Sequence, residues 1–69
     1  MLLLNRVYRH YKGKRCLVLY VALHSETQEQ LVIYRELDNN KLWARPLSMF
    51  EEQVTHDGIT EPRFMLESD

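Results

Sequence analysis

The sequence predicts an all-β fold: a small SH3-like antiparallel barrel of five or six short strands with one 3₁₀ or helical turn near residues 47–50. Three observations carry that expectation. Runs of β-branched and aromatic residues recur at short spacing between polar turns, as in Leu31-Val32-Ile33-Tyr34. Helix signals are few, and the clearest, Leu47-Ser48-Met49-Phe50 after Pro46, is a single turn long. With 69 residues, 45% of them hydrophobic and 28% charged, the chain builds one small core. Folding at this length removes only about 60% of the unfolded chain's surface from water, so a single domain over residues 1–69 is expected, without room for a large enclosed active site. A ligand then sits on the surface or in a shallow cleft.

The elements follow in order. Val7 to Tyr11 reads as a first strand, and Lys12-Gly13-Lys14 as a tight turn in which Gly13 can take a positive φ. Arg15 to His24 is a longer second strand. Ser25 to Glu29 has no apolar residue and forms a loop tip, where Ser and Thr can bond back to nearby backbone. Gln30 to Leu37 is the third strand, and Asp38-Asn39-Asn40-Lys41 the next turn. Leu42 to Arg45 is a short fourth strand, closed by Pro46 because proline lacks the N–H a ladder needs. Leu47 and Phe50, three apart in the following turn, share a side. Glu51 to Thr55 forms a fifth strand and His56-Asp57-Gly58 a hairpin turn into Ile59 and Thr60. Pro62 demotes the next stretch to an edge or coil, and Glu67-Ser68-Asp69 is expected to fray.

The second strand breaks the usual alternation. Leu17, Leu19, Val21 and Leu23 occupy one parity, and Val18, Tyr20 and Ala22 the other. Two-sided apolarity calls for a bulge or bend that switches the inward parity, or for a partner or ligand on the second face.

The net charge of −1 excludes a surface built throughout for nucleic acid. It conceals a gradient. Residues 1–20 carry Arg6, Arg9, Lys12, Lys14 and Arg15 and no acid, whereas from Leu47 onward Glu51, Glu52, Asp57, Glu61, Glu67 and Asp69 face Arg63 alone. If folding brings the ends together they neutralise one another; otherwise the basic segment offers a stripe to a polyanion. Cys16 is the only cysteine, so no intramolecular disulfide and no Cys-rich zinc framework is available, and a reducing, cytoplasmic setting is expected. Inside its apolar run the thiol is expected to behave as a small hydrophobe with a raised pKa. Met1-Leu2-Leu3-Leu4 is too short to span a membrane and lacks the flanks of a signal peptide.

Four blocks in fixed order resemble a known family: Val7-Tyr8-Arg9-His10-Tyr11-Lys12-Gly13-Lys14-Arg15, Ala22-Leu23-His24-Ser25-Glu26-Thr27, Val32-Ile33-Tyr34-Arg35, and Leu42-Trp43-Ala44-Arg45-Pro46-Leu47-Ser48-Met49-Phe50. The pattern is similar to that of short bacterial proteins grouped as a domain of unknown function, DUF1653, and covers about residues 7–64. The resemblance implies a bacterial, mostly single-domain protein with no assigned activity. Cys16, Leu17 and Tyr20 depart from that pattern and make the second strand more apolar than the resemblance implies, which favours self-association.

Three functional expectations follow. The first is a non-catalytic binding module whose groove combines Tyr8, His10, His24, Glu26, Tyr34, Trp43 and Arg45, taking an anionic ligand such as a nucleic-acid strand, a nucleotide or an acidic peptide. Rings of this kind stack and guanidinium forks grip phosphates or carboxylates. Trp43 and Tyr34 serve equally well as core anchors, since large rings often fill a small core. The second is a structural or partner-binding module, a monomer or weak homodimer, that associates through an apolar strand face and not with a membrane. The third is a metal-dependent enzyme using His10, His24 and Glu26, although His24-x-Glu26 crosses a strand end and lacks helical ligand spacing. No catalytic residue and no cofactor is assigned.

Overall fold

The computed structural model describes residues 2–67 of the chain. Seven strands and one helical turn follow in order: β1 (Arg6–His10), β2 (Arg15–Leu23), β3 (Gln30–Glu36), β4 (Leu42–Pro46), α1 (Leu47–Phe50), β5 (Gln53–His56), β6 (Ile59–Pro62) and β7 (Phe64–Leu66). Every pairing is antiparallel. The fold is therefore all-β, with its helical turn at residues 47–50 as the sequence predicts. Among the described residues the strands make a five-stranded sheet, in the order β4-β3-β2-β1-β7, and a separate β5-β6 ribbon. The two ladders are not joined into one closed ring.

Where the expected boundaries shift, backbone hydrogen bonding decides. Tyr11 belongs to the first turn: the His10 and Gly13 amides donate to the carbonyls of Lys14 and His10 at 2.7 Å each, closing the hairpin one residue early. Gly13 there adopts φ +106°, which a side chain would resist. Pro46 is the last residue of β4, on the sheet's edge where its missing N–H costs nothing. The chain beyond Pro62 does not stay irregular. Phe64, Met65 and Leu66 pair with His10, Arg9 and Tyr8 and add an edge strand.

The two-sided second strand is resolved by a bulge. Val18 lies opposite Tyr34 and Tyr20 opposite Ile33, so Leu19 is the extra residue. Cys16 and Val18 point inward before it; after it Tyr20 points outward and Val21 lies opposite the fully buried Val32. The last four residues of β2 are exposed, so the β2–β3 ribbon runs on past the core.

The core is Tyr8, Cys16, Val18, Val32, Tyr34, Phe50 and Phe64, with Leu2 and Leu47 packed against it. Phe50 of α1 and Phe64 of β7 stack face to face, centroids 4.0 Å apart and planes 4° from parallel. Tyr8 meets Phe50 edge-on at 5.5 Å, and Tyr34 packs against both phenylalanines at 5.7 Å. Large rings fill most of a space that aliphatic side chains fill in larger domains.

The basic and acidic ends do meet. Glu67 accepts hydrogen bonds from Arg15 at 2.8 and 3.0 Å and from Arg9 at 3.2 Å. The Arg15 hydrogen bonds, then the neighbouring Arg9, hold its carboxyl below the usual carboxylate range. Glu67 is thus docked and not frayed; Ser68 and Asp69 lie outside the described residues. No helix among the described residues is long and apolar enough to cross a membrane.

Phe50→Ala is expected to cost about 3–5 kcal/mol, a large share of the roughly 3–10 kcal/mol available to a chain of this size. Urea unfolding followed by tyrosine and tryptophan fluorescence measures the loss, and Phe50→Leu, which keeps most of the volume, should cost clearly less.

Candidate functional site

Beside the β1–β2 turn the sheet leaves a cleft of about 260 Å³, lined by His10, Lys12, Lys14, Arg15, Cys16, Tyr34, Glu36, Arg45 and Phe64. Three strands set its floor through their pairing. Tyr8 lies opposite Cys16, Cys16 opposite Glu36, and Phe64 opposite His10, so these residues share one face of the sheet. Arg45 on β4 lies opposite Val32 and projects from that same face.

His10 is positioned by its own turn. Its Nδ1 accepts the Lys12 amide N–H at 3.1 Å, which places the ring proton on Nε2 as a donor. The ring packs on Tyr11 with centroids at 4.5 Å and edge-on to Phe64 at 5.0 Å. Burial lowers its pKa below the ordinary 6.5, and Arg45, Arg63 and Lys12 lower it further against the opposing pull of Glu36. The imidazole is therefore neutral at pH 7 and offers a hydrogen bond rather than a charge.

Arg45 supplies the charge. Its guanidinium lies over the Phe64 ring at 5.7 Å, and its Nε is buried without a hydrogen-bond partner. No carboxylate pairs with it among the described residues, whereas Arg9 and Arg15 are held by Glu67, Lys14 by Glu36 and Arg63 by Glu52. Cys16 lies on the floor, its thiol pushed up to about 11 chiefly by burial, so it is an inert apolar surface and not a nucleophile.

The residues singled out in sequence are spread over the cleft, the core, an exposed position on β4 and the loop beyond β2. His10, Tyr34 and Arg45 come together in the cleft. Tyr8 and Tyr34 are core residues, each 7% exposed, so neither presents an open stacking face; Tyr8 instead accepts the Leu3 amide on its hydroxyl at 3.0 Å. Trp43 lies opposite Tyr34 in the ladder and is 46% exposed, but it does not line the cleft.

His24 and Glu26 are at the other end of β2. Arg15 pairs with Arg9 beside the cleft, and His24 follows nine residues later, about 30 Å of extended chain at full strand rise. There His24 repeats the role of His10: its Nδ1 accepts the amides of Glu26 at 3.1 Å and Thr27 at 3.3 Å, organising the loop. The expected metal set is therefore not assembled, and no three His, Cys, Asp or Glu side chains among the described residues stand where they could hold an ion. Asn39 and Thr27 make the same short bond to an amide two residues on, so both histidines act here as turn residues.

Sequence reasoning passed over Lys12, Lys14, Arg15, Cys16, Glu36 and Phe64 as members of the site. The two lysines flank Gly13 beside His10, and that signal was present in the chain. Glu36 and Phe64 had none, because only the register of β3 and β7 brings them there.

Fold and cleft together define the class, a small antiparallel β domain with a cationic cleft. The profile of a family described as protein of unknown function (DUF1653) matches residues 6–66, and the chain belongs to that family. The crystal structure of a protein belonging to DUF1653 from Bordetella bronchiseptica is similar throughout, with a TM-score of 0.83 at 35% identity over 91% of this chain and 85% of that one. No match was found among curated proteins.

The His10 turn generates a pH prediction. Because its pKa is lower folded than unfolded, the unfolded chain takes up the proton first, so the stability His10 contributes is full above pH 6.5 and declines as the pH falls toward its folded pKa. His10→Asn retains an acceptor for the Lys12 amide but does not titrate. Chemical denaturation of both proteins between pH 7.5 and 5 should show a smaller acid loss in the variant; equal losses would mean His10 does not carry the effect.

Proposed function

We propose that this protein is a non-catalytic binding module that holds a compact anionic group, a phosphate or carboxylate, in the Arg45 cleft. The observation that carries the proposal is the Arg45 guanidinium itself, partly buried and without a carboxylate partner among the described residues, in a cleft that His10 and Lys12 also line. A guanidinium left without a counterion beside apolar rings gains a charge-assisted, potentially bidentate hydrogen bond when an oxyanion arrives. Folding pairs Arg9, Arg15, Lys14 and Arg63 with acids, which argues for one anionic group and against a continuous track for a polyanion. The Phe64 ring is already engaged by Phe50, His10 and Arg45, which argues against base stacking. A buried, unpaired Cys16 suits a reducing cytoplasm.

Titration with inorganic phosphate and with acetate at low ionic strength should shift the amide resonances of His10, Lys12 and Arg45, with millimolar affinity. Arg45→Gln should weaken that binding by about tenfold or more, the worth of one charge-assisted hydrogen bond of ~1.5–3 kcal/mol, while the remaining spectrum stays folded. Lys41→Gln, at an exposed cation outside the cleft, should have little effect. Shifts spread over the surface, or unchanged affinity in Arg45→Gln, would overturn the assignment.

A second observation favours self-association. The sheet's outer face carries Tyr20, Ile33 and Ala44 in one row across β2, β3 and β4, flanked by Leu17, Leu42, Leu31 and Ala22. Tyr20 is 65% and Leu42 63% exposed, so this face is a largely apolar surface, interrupted by Arg35 between Leu17 and Leu42, that no other described residue is shown to cover. We infer a weak homodimer that buries it. Sedimentation at several hundred micromolar should show concentration-dependent association that Tyr20→Lys abolishes; a monomer throughout would sink this second reading.

A further inference from the structure

The cleft is not uniformly positive. Glu36 lines it together with Arg45, yet the two make no ion pair although both side chains rise from the same face of the sheet. Register explains the gap. Arg45 lies opposite Val32, and Glu36 is four residues further along β3, about 13 Å of strand. Between them on that face stands Tyr34, whose ring forms the floor with Cys16 and Phe64. An apolar floor thus separates a cation at one end from an anion at the other.

The carboxylate of Glu36 is only loosely held. Its side chain is 16% exposed, and its one ion-pair partner among the described residues is Lys14 at 3.5 Å. Lys14 is 64% exposed and has a second carboxylate, Asp38, at 4.0 Å. Lys14 can stay with Asp38 while Glu36 receives another cation, so the exchange need not strand a charge. A ligand that is only an anion leaves Glu36 with Lys14 and gains nothing from it. One that also carries a positive group satisfies both ends of the cleft at once.

Resting on the anion-binding reading above, we propose that the cleft takes a small zwitterion whose acid group sits on Arg45 and whose ammonium sits on Glu36, the two joined by a short apolar spacer lying over Tyr34. The class includes ω-amino acids and comparable amine-acids. Glycine, with its charges adjacent, is too short to reach both ends, and a primary amine alone lacks the group that Arg45 requires.

The experiment compares acetate, glycine, 6-aminohexanoate and butylamine by NMR titration of the intact protein at low ionic strength. The expected order has 6-aminohexanoate at least fivefold tighter than acetate, glycine no tighter than acetate, and butylamine weakest. Glu36→Gln should erase the advantage of 6-aminohexanoate and leave acetate unchanged or slightly tighter, while Arg45→Gln should weaken both. Equal affinity of the native protein for acetate and 6-aminohexanoate would overturn the zwitterion assignment and leave the anion site standing. Absence of a cleft response to acetate, phosphate and 6-aminohexanoate alike would overturn both. The native series decides the question even if a variant fails to fold.

Discussion

The stack of Phe50 on Phe64 is the contact on which the rest of the structure depends. It joins the one helical turn, which follows β4, to the last strand, and so ties two segments that the sheet ladder alone would leave apart. Tyr8 and Tyr34 then pack against this pair from β1 and β3. Among the described residues the core has seven buried side chains, four of them aromatic, and this stack is the closest approach between its rings. The cleft depends on the same stack, because Phe64 also carries the edge of His10 and the guanidinium of Arg45. Core and site are thus two sides of one ring.

Charge pairing shapes what remains available for function. The basic first third of the chain would make a broad cationic surface if it stayed alone, but β7 brings Glu67 between Arg9 and Arg15. These are exposed pairs, worth little in stability on their own. Their consequence lies in the charge distribution: Glu67 occupies Arg9 and Arg15, while the partly buried Arg45 has no carboxylate partner among the described residues. The same device recurs at Lys14, which lies 3.5 Å from Glu36 and 4.0 Å from Asp38.

Much of the fold was legible along the chain because its signals are local. The turn residues around Gly13, the loop Ser25 to Glu29, the stop at Pro46 and the single helical turn after it rest on backbone preferences that neighbours hardly alter. The apolar parity conflict in β2 likewise announced a bulge, found at Leu19. The strand Phe64–Leu66 was not legible, because three residues beyond two prolines hold no periodicity, and only pairing with β1 makes them a strand. For the site, the grouping of His10, Tyr34 and Arg45 could be anticipated from their chemistry. The inclusion of His24 and Glu26 could not be corrected from sequence, since a histidine that caps a turn looks the same as one that meets a ligand.

By itself, then, the sequence determined the antiparallel β class, the main turns, the inert character of Cys16 and the presence of opposed charged ends. Each of these follows from propensities and from which residue types lie side by side. Tertiary structure alone decided which aromatic rings are core, that the Arg45 Nε is buried without a hydrogen-bond partner, and that Glu36 faces Arg45 across a floor of rings. Those outcomes turn on strand register and on one bulged residue. A shift of one position in a strand exchanges its two faces, and nothing local in the chain records which face a neighbour will cover.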